Sequence, residues 1–384
     1  MNRNERQLIA LLRLALTGEQ EAVLSEPIDW ETVREMAEQQ SVLGITFAGI
    51  ERLPRQMMPA MPILMDWVGQ AEKIKTQNET ADKTATKVVK TFERKYGTKA
   101  ILLKGQSYNA LYTDEKRGID LRGLRTTGDI DLWTVKPDED GGFSRGVLDR
   151  SRDYTLRLAL EKRPDATTQP HHVDYLAKNG IPVELHFTPS TVFNLYYNRR
   201  VQRFFEGVLP HCTDRLPIDV DVLFSLMHLR RHLIAEGVGL RQVIDLYFLK
   251  KRLTETLTTV AERRAFEKNI DKLGLRSFAD AMDGVLAMMG LLEPTGKGTD
   301  AARFVMTEIL KGGNFGHHNE EFKVPDGSKL GNLIAYTRHA LRCVRYFPSE
   351  SIWNPIYRIY VAVWRKTTTP SPKGEPTEQT SRNA

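Results

Sequence analysis

The stretch Gly128-Asp129-Ile130-Asp131-Leu132-Trp133 constrains this chain most, because it sets two carboxylates one apolar residue apart. In a β-strand successive side chains point to opposite faces, so Asp129 and Asp131 project together while Ile130 and Leu132 enter a core. Such a pair offers hard oxygen ligands to Mg²⁺. A second run, Ile181-Pro182-Val183-Glu184-Leu185-His186-Phe187, repeats the alternation, with its odd-numbered residues apolar and Glu184 and His186 on the other face. Three carboxylates on adjacent strands would hold two metal ions.

The rest of the chain can supply a scaffold for such a site. Its 384 residues suffice for two or three domains, and 41% apolar with 27% charged residues is ordinary for a globular protein, which excludes a fibrous or wholly disordered one. A net charge of +6 would not repel a nucleotide, RNA or an acidic membrane surface, and singles out none of them. Cys212 and Cys343 are far apart and outside any ligand-spaced cluster, so neither a disulfide framework nor a cysteine zinc site is expected. A reducing compartment fits. The apolar run Leu8 to Leu12 is broken by Arg13 and lacks a cleavage site, so it reads as a first amphipathic helix. No segment approaches the roughly 18 uninterrupted apolar residues of a membrane span, and a cytoplasmic protein with access to nucleoside triphosphates is expected.

Periodicity divides the chain into a helical region 1–96, a core 97–200, a second helical region 201–366, and a tail 367–384 rich in Pro, Thr, Ser and Gly that reads as disordered. Asp29 would cap a helix containing Trp30, Val33, Met36 and Ala37, and residues 73–94 read as a long polar helix. In the core, Lys99 to Lys104 forms a strand ended by Gly105, with Ser107 to Tyr112 at helical spacing after it. Backbone N–H groups at such a turn and helix start would bind an anion. A charged loop, 113–127, leads to the Asp129 strand, a helix follows over 146–162, and Asn179-Gly180 turns a hairpin between 172–176 and 181–187. After about residue 198 helices return over 219–235, 239–253, 255–273, 277–289, 301–311, 333–347 and 354–366, with a polar Gly-rich loop at 312–331.

Leu103-Lys104-Gly105, Arg125-x-x-Gly128-Asp129-Ile130-Asp131-Leu132, Val183-Glu184-Leu185-His186, Met227-His228-Leu229-x-x-His232-Leu233 and Leu240-Arg241-x-x-x-Asp245-Leu246 together resemble a bacterial family of poorly characterised nucleotidyltransferases. The resemblance spans roughly residues 37–347. It implies the polymerase-beta-like fold: α+β and mostly helical, a small mixed-sheet nucleotidyltransferase core flanked by N-terminal and C-terminal helical regions. It also implies metal-dependent transfer of a nucleoside monophosphate from a nucleoside triphosphate to a hydroxyl acceptor, with release of pyrophosphate. Asp129, Asp131 and Glu184 would hold two Mg²⁺ ions, with Mn²⁺ as a substitute, and Glu184 would also be placed to take the proton of the attacking hydroxyl. Gly105 and Gly128 allow close backbone approach to the triphosphate, and Ser107 offers a donor. Lys104 and Arg125 either neutralise phosphate or point away from the site. Two departures stand out: Gln106 separates Gly105 from Ser107, and the insert 113–124, a candidate substrate loop, lengthens the gap to Asp129.

The acceptor would be a small molecule such as a sugar, a protein side chain or a tRNA end. A glycosyltransferase also uses Asp-x-Asp, but behind a nucleotide-binding βαβ region where this chain is helical. The alternative is a catalytically silent nucleotide-binding or interaction protein with the same fold. His228 and His232, at i and i+4, read by default as a packed helix pair, because Leu229 stands where a zinc protease carries Glu. Arg241 and Asp245 read by default as an intrahelical ion pair, with support of the cleft as the other role. His186 either orients Glu184, contacts substrate or is structural; His171-His172 and His317-His318 read as exposed loop histidines. The basic aromatic C-terminal helices read as a solvated face rather than a grip for RNA or lipid.

Overall fold

The computed structural model describes residues 1–19, 24, 27–314 and 329–368. Local signals account for the first helices. α1 (Arg3–Thr17) opens on a capping box between Asn2 and Glu5, and α2 (Trp30–Gln39) opens on Asp29, whose side chain accepts from the Thr32 amide at 3.2 Å. α3 (Leu43–Ile50) crosses α1 so closely that a Cβ at Gly49 would lie 2.1 Å from the Leu11 carbonyl oxygen. α4 (Met61–Tyr96) begins earlier than its polar composition indicates, with Pro62 in the first turn where no amide is needed, and ends at Gly97 in the left-handed conformation. Its first half buries Trp67 in the larger core, and its second half buries Ala85, Val88 and Phe92 against the sheet.

Among the described residues, β1 (Lys99–Leu102), β4 (Ile130–Val135), β6 (Val183–His186) and β5 (His172–Asp174) form a four-stranded mixed sheet in the order β1-β4-β6-β5. β4 runs parallel to β6 with Asp131 opposite Glu184, while β1 and β5 are antiparallel to their neighbours. One face presents Ile130, Leu132, Val173, Val183 and Leu185 to α4 and to α5 (Val147–Lys162) in a compact apolar cluster. The other carries Asp131, Glu184 and His186 at its open end; beyond them Trp133 packs edge-on against Phe205 of α6 (Leu195–Val208). The hairpin turn has Asn179 and Gly180 both at positive φ, as a two-residue turn of primed type requires.

Three local expectations are corrected. Residues 105–111 form two single 3₁₀ turns, Gly105–Ser107 and Asn109–Leu111, in place of a helix, because the Ser107 and Tyr108 amides close back on Lys104 and Gly105; the expected helix N-terminus for an anion is absent there. The insert 113–124 forms a small hairpin, β2 (Thr113–Asp114) and β3 (Ile119–Asp120), and is built into the core through Ile119, Leu121 and Leu124. α6 lies where no helix was expected, capped by Asn194 at the Tyr196 amide.

α7 (Ile218–Ala235) and α8 (Leu240–Thr256) pack on each other and cover the open end of the sheet's polar face. α9 (Val260–Lys272), α10 (Arg276–Met288), α11 (Thr299–Gly312), α12 (Lys329–Cys343) and α13 (Pro348–Thr368) complete the helical half. A single large apolar cluster runs from Leu8 through Trp133 to Tyr357 and so joins all three regions read from periodicity. The tail from 369 onward, most of the 312–331 loop and His317-His318 lie outside the described residues.

Candidate active site

The alternation in β4 and β6 brings Asp129, Asp131 and Glu184 to one place. The Lys104 ammonium, carried just past β1, donates to Asp131 Oδ2 at 2.5 Å and lies 3.6 Å from Asp129 Oδ2. His186 Nε2 sits 3.0 Å from Asp131 Oδ1 and 3.3 Å from Glu184 Oε2. Asp131 is 1% exposed at its side chain and Asp129 is 35% exposed, so one carboxylate forms the floor and the other the rim.

Charge balance explains how so much acid is tolerated. Burial disfavours the Asp131 anion, yet Lys104 and the His186 hydrogen bond outweigh it and hold this carboxyl below its usual range. Burial likewise opposes charge on Glu184, but His186, His172 and Lys104 bring it to about 2. Burial opposes the His186 imidazolium as well, and its hydrogen bonds to Asp131 and Glu184 reverse that, raising it to about 9. Lys104 and His186 are thus the built-in positive partners of the Asp131 and Glu184 carboxylates. Asp131, Glu184 and His186 keep one donor atom each within 4.8 Å of one another, the arrangement of a cation site with mixed oxygen and nitrogen ligands.

A second wall comes from α7 and α8. A cleft between them and the sheet is lined by Lys104, Gly105, Gly128, Asp129, His228 and Arg241, among others, and is small, about 30 Å³. Gly105 stands at φ +66°, a conformation that L side chains rarely adopt, and a Cβ there would meet the Asp129 carbonyl oxygen at 3.5 Å.

Arg125 borders the cleft, but its Nε and Nη2 bond both oxygens of Asp245 at 2.7 and 2.8 Å, and the Tyr112 hydroxyl donates to the same carboxylate at 2.5 Å. The default intrahelical pair of Arg241 with Asp245 is thus replaced by a link across 120 residues. Arg241 instead donates to the Thr126 carbonyl at 3.0 Å and borders the cleft; burial and the nearby Arg125 lower its pKa to about 10. Ser107 is not among the residues lining the cleft: its carbonyl accepts from Arg215, and its buried hydroxyl has no hydrogen-bond partner among the described residues.

The His228 and His232 rings meet edge to face with centroids 4.2 Å apart, and His228 faces the cleft. His171 and His172, expected on an exposed loop, are a further correction. His172 opens β5 opposite His186, with Nδ1 3.5 Å from Glu184 Oε2, and His171 is buried with Arg231 of α7 2.7 Å from its Nε2. Burial depresses both imidazoles, His172 to about 4. The period-2 placement of His172 and Asp174 beside Glu184 and His186 was the one sequence signal for this cluster.

A family model described as uncharacterised nucleotidyltransferase matches residues 26–282, from just before α2 into α10. The chain belongs to this nucleotidyltransferase family. The match contains all the carboxylates, both histidine groups and the Arg125–Asp245 link described above. No curated protein and no solved structure matches the chain. Among its described residues, no helix is long and apolar enough to cross a membrane.

Proposed function

We propose that this protein moves a nucleoside monophosphate from a nucleoside triphosphate to a hydroxyl-bearing acceptor, with Asp129, Asp131 and Glu184 as ligands of Mg²⁺ or Mn²⁺. The observation that carries the reading is the Lys104 ammonium held between Asp129 and Asp131: a cation already stands where two carboxylates converge. The donor set fits the ions, since carboxylate oxygens suit Mg²⁺ and Mn²⁺; His186 would have to give up the proton it shares with Asp131 and Glu184 before joining them, as a nitrogen ligand that Mn²⁺ tolerates better than Mg²⁺. When bound, divalent cations supply charge stabilisation at the attacking and leaving oxygens.

The protein's own groups do the remaining work. The Lys104 ammonium lines the cleft beside Asp129, where it would meet phosphate oxygens of the triphosphate. Arg241 borders the same space and adds a second positive charge. The Gly105 and Gly128 backbones let phosphate approach without a Cβ in the way. In the reaction, the acceptor oxygen bonds to the α-phosphorus, the α–β bridging P–O bond breaks with its electron pair on pyrophosphate, and the hydroxyl proton is released. Arg125 holds Asp245 and the 113–127 segment in place rather than contacting substrate.

Incubation with each α-³²P nucleoside triphosphate, Mg²⁺ or Mn²⁺ and a cell extract tests this reading. Label should pass to an acceptor with wild type and not with Asp129→Asn/Asp131→Asn. Metal-dependent triphosphate binding without transfer in extracts of several kinds would favour the silent binder.

A further inference from the structure

At the far end of β6 from Glu184 lies a second cavity, of about 370 Å³, between α6, the start of α5 and α13. Arg145, Arg152, Arg199 and Arg203 all line it. Arg152 is engaged by Asp149 and Asp153, but among the described residues the other three side chains have neither a hydrogen bond nor a carboxylate partner. Of the acids in the lining, Asp149 pairs with Arg152, and Glu206 accepts from the Gly146 amide at 2.8 Å and keeps its charge, so four guanidiniums share the lining with two carboxylates. Four guanidiniums against two carboxylates leave the concavity with an excess of positive charge, and the donor fork of a guanidinium matches phosphate. The floor is neutral and polar, with Thr188 bonded to Gln202.

The position of this cavity relative to the carboxylates gives it meaning. Thr188 follows Glu184 by four residues, about 13 Å along an extended chain. Pro170, also in the lining, precedes His171, whose ring centroid is 5.5 Å from that of His186. The Lys104–Arg241 cleft reaches the carboxylates at Asp129, whereas the cavity approaches them through the His171–His186 cluster. An in-line displacement brings its attacking oxygen from the side opposite the leaving pyrophosphate, so donor and acceptor need separate berths.

We propose that this arginine-lined cavity binds a phosphate group of the acceptor, so that the acceptor hydroxyl belongs to a phosphorylated sugar, either free or at the end of an RNA strand. The assignment to the acceptor rests on the nucleotidyl-transfer reading; the binding of phosphate by the cavity does not.

The test is equilibrium binding to the full-length protein of two probes, ribose 5-phosphate by calorimetry and a short fluorescein-labelled single-stranded RNA by anisotropy. Wild type is compared with Arg199→Gln/Arg203→Gln and, separately, Arg145→Gln. These are exposed, unpaired side chains, and thermal melts check that the fold persists. The expected result is that at least one probe binds wild type and weakens roughly tenfold or more in the double variant, while Mn²⁺–triphosphate affinity stays within about twofold. The probe that responds identifies the source of the phosphate. If neither probe binds wild type, or both bind the variants equally, the proposal is overturned. If a probe responds as expected but wild type binds no metal–triphosphate, the cavity stands as a phosphate site and the transfer reading fails by itself.

Discussion

Burial separates the two aspartates of the Asp-x-Asp pair. Asp131 lies on the floor between Lys104 and His186, so Asp131→Asn leaves two buried cations undercompensated and should cost about 3 kcal/mol of stability. Asp129→Asn, at the rim, should cost under about 1 kcal/mol. Both should lower transfer by roughly a hundredfold or more; urea denaturation beside the transfer assay checks the contrast, and equal destabilisation would refute it. A second residue-scale prediction concerns Asp221, whose carboxyl burial pushes up from 3.8 to about 7 while it accepts from Tyr108 at 2.9 Å. A raised carboxyl is fully favourable below its unfolded value and loses that contribution as pH climbs through about 7. Asp221→Asn, which keeps an acceptor for Tyr108, should therefore gain on wild type by about 2 kcal/mol between about pH 5 and about pH 8. Parallel stability curves would contradict this. The carboxylates were legible in the sequence because strand alternation is strict. Arg125 was not, because its partner Asp245 is 120 residues away and no local pattern reports such a link. His171 and His172 were read as exposed even though 172–176 was placed in the hairpin, because strand pairing does not report what covers a strand, and α7 supplies that cover through Arg231.

Among the elements, capping and turn chemistry explain most of what the sequence revealed. Asp29, Gly97 and Asn179-Gly180 each mark a boundary that the structure bears out. The break between α8 and α9 is marked by Thr259 and Glu262, a capping box that divides what otherwise reads as nearly continuous helix. The 3₁₀ turns after Gly105 show where helical spacing misleads: Tyr108 and Tyr112 are fully buried by bonds to α7 and α8 and do not form a helix face. The α1–α3 crossing yields the prediction at this scale. Gly49→Ala puts a methyl group 2.1 Å from a backbone oxygen that cannot rotate away, so the helices must separate, at a cost of about 3 kcal/mol. A melting temperature unchanged from wild type would show that the crossing is looser than described.

For the molecule as a whole, the site is an assembly of parts distant in the chain. The sheet supplies carboxylates, α7 and α8 close the cleft, and one apolar cluster runs through all three regions read from periodicity. The segment 97–200 therefore lacks half of its own site and much of its core. Expressed alone, it should give the narrow amide dispersion of an unfolded chain by NMR; a dispersed spectrum would make it an independent domain. The central claim, that Asp129 and Asp131 bind a divalent cation together with a triphosphate, is tested most directly without knowing the acceptor, by electron paramagnetic resonance of Mn²⁺. Wild type with a nucleoside triphosphate should deplete the free Mn²⁺ signal well beyond what the nucleotide does alone, and Asp129→Asn/Asp131→Asn should not. Equal depletion by both proteins would place the metal elsewhere and contradict the account.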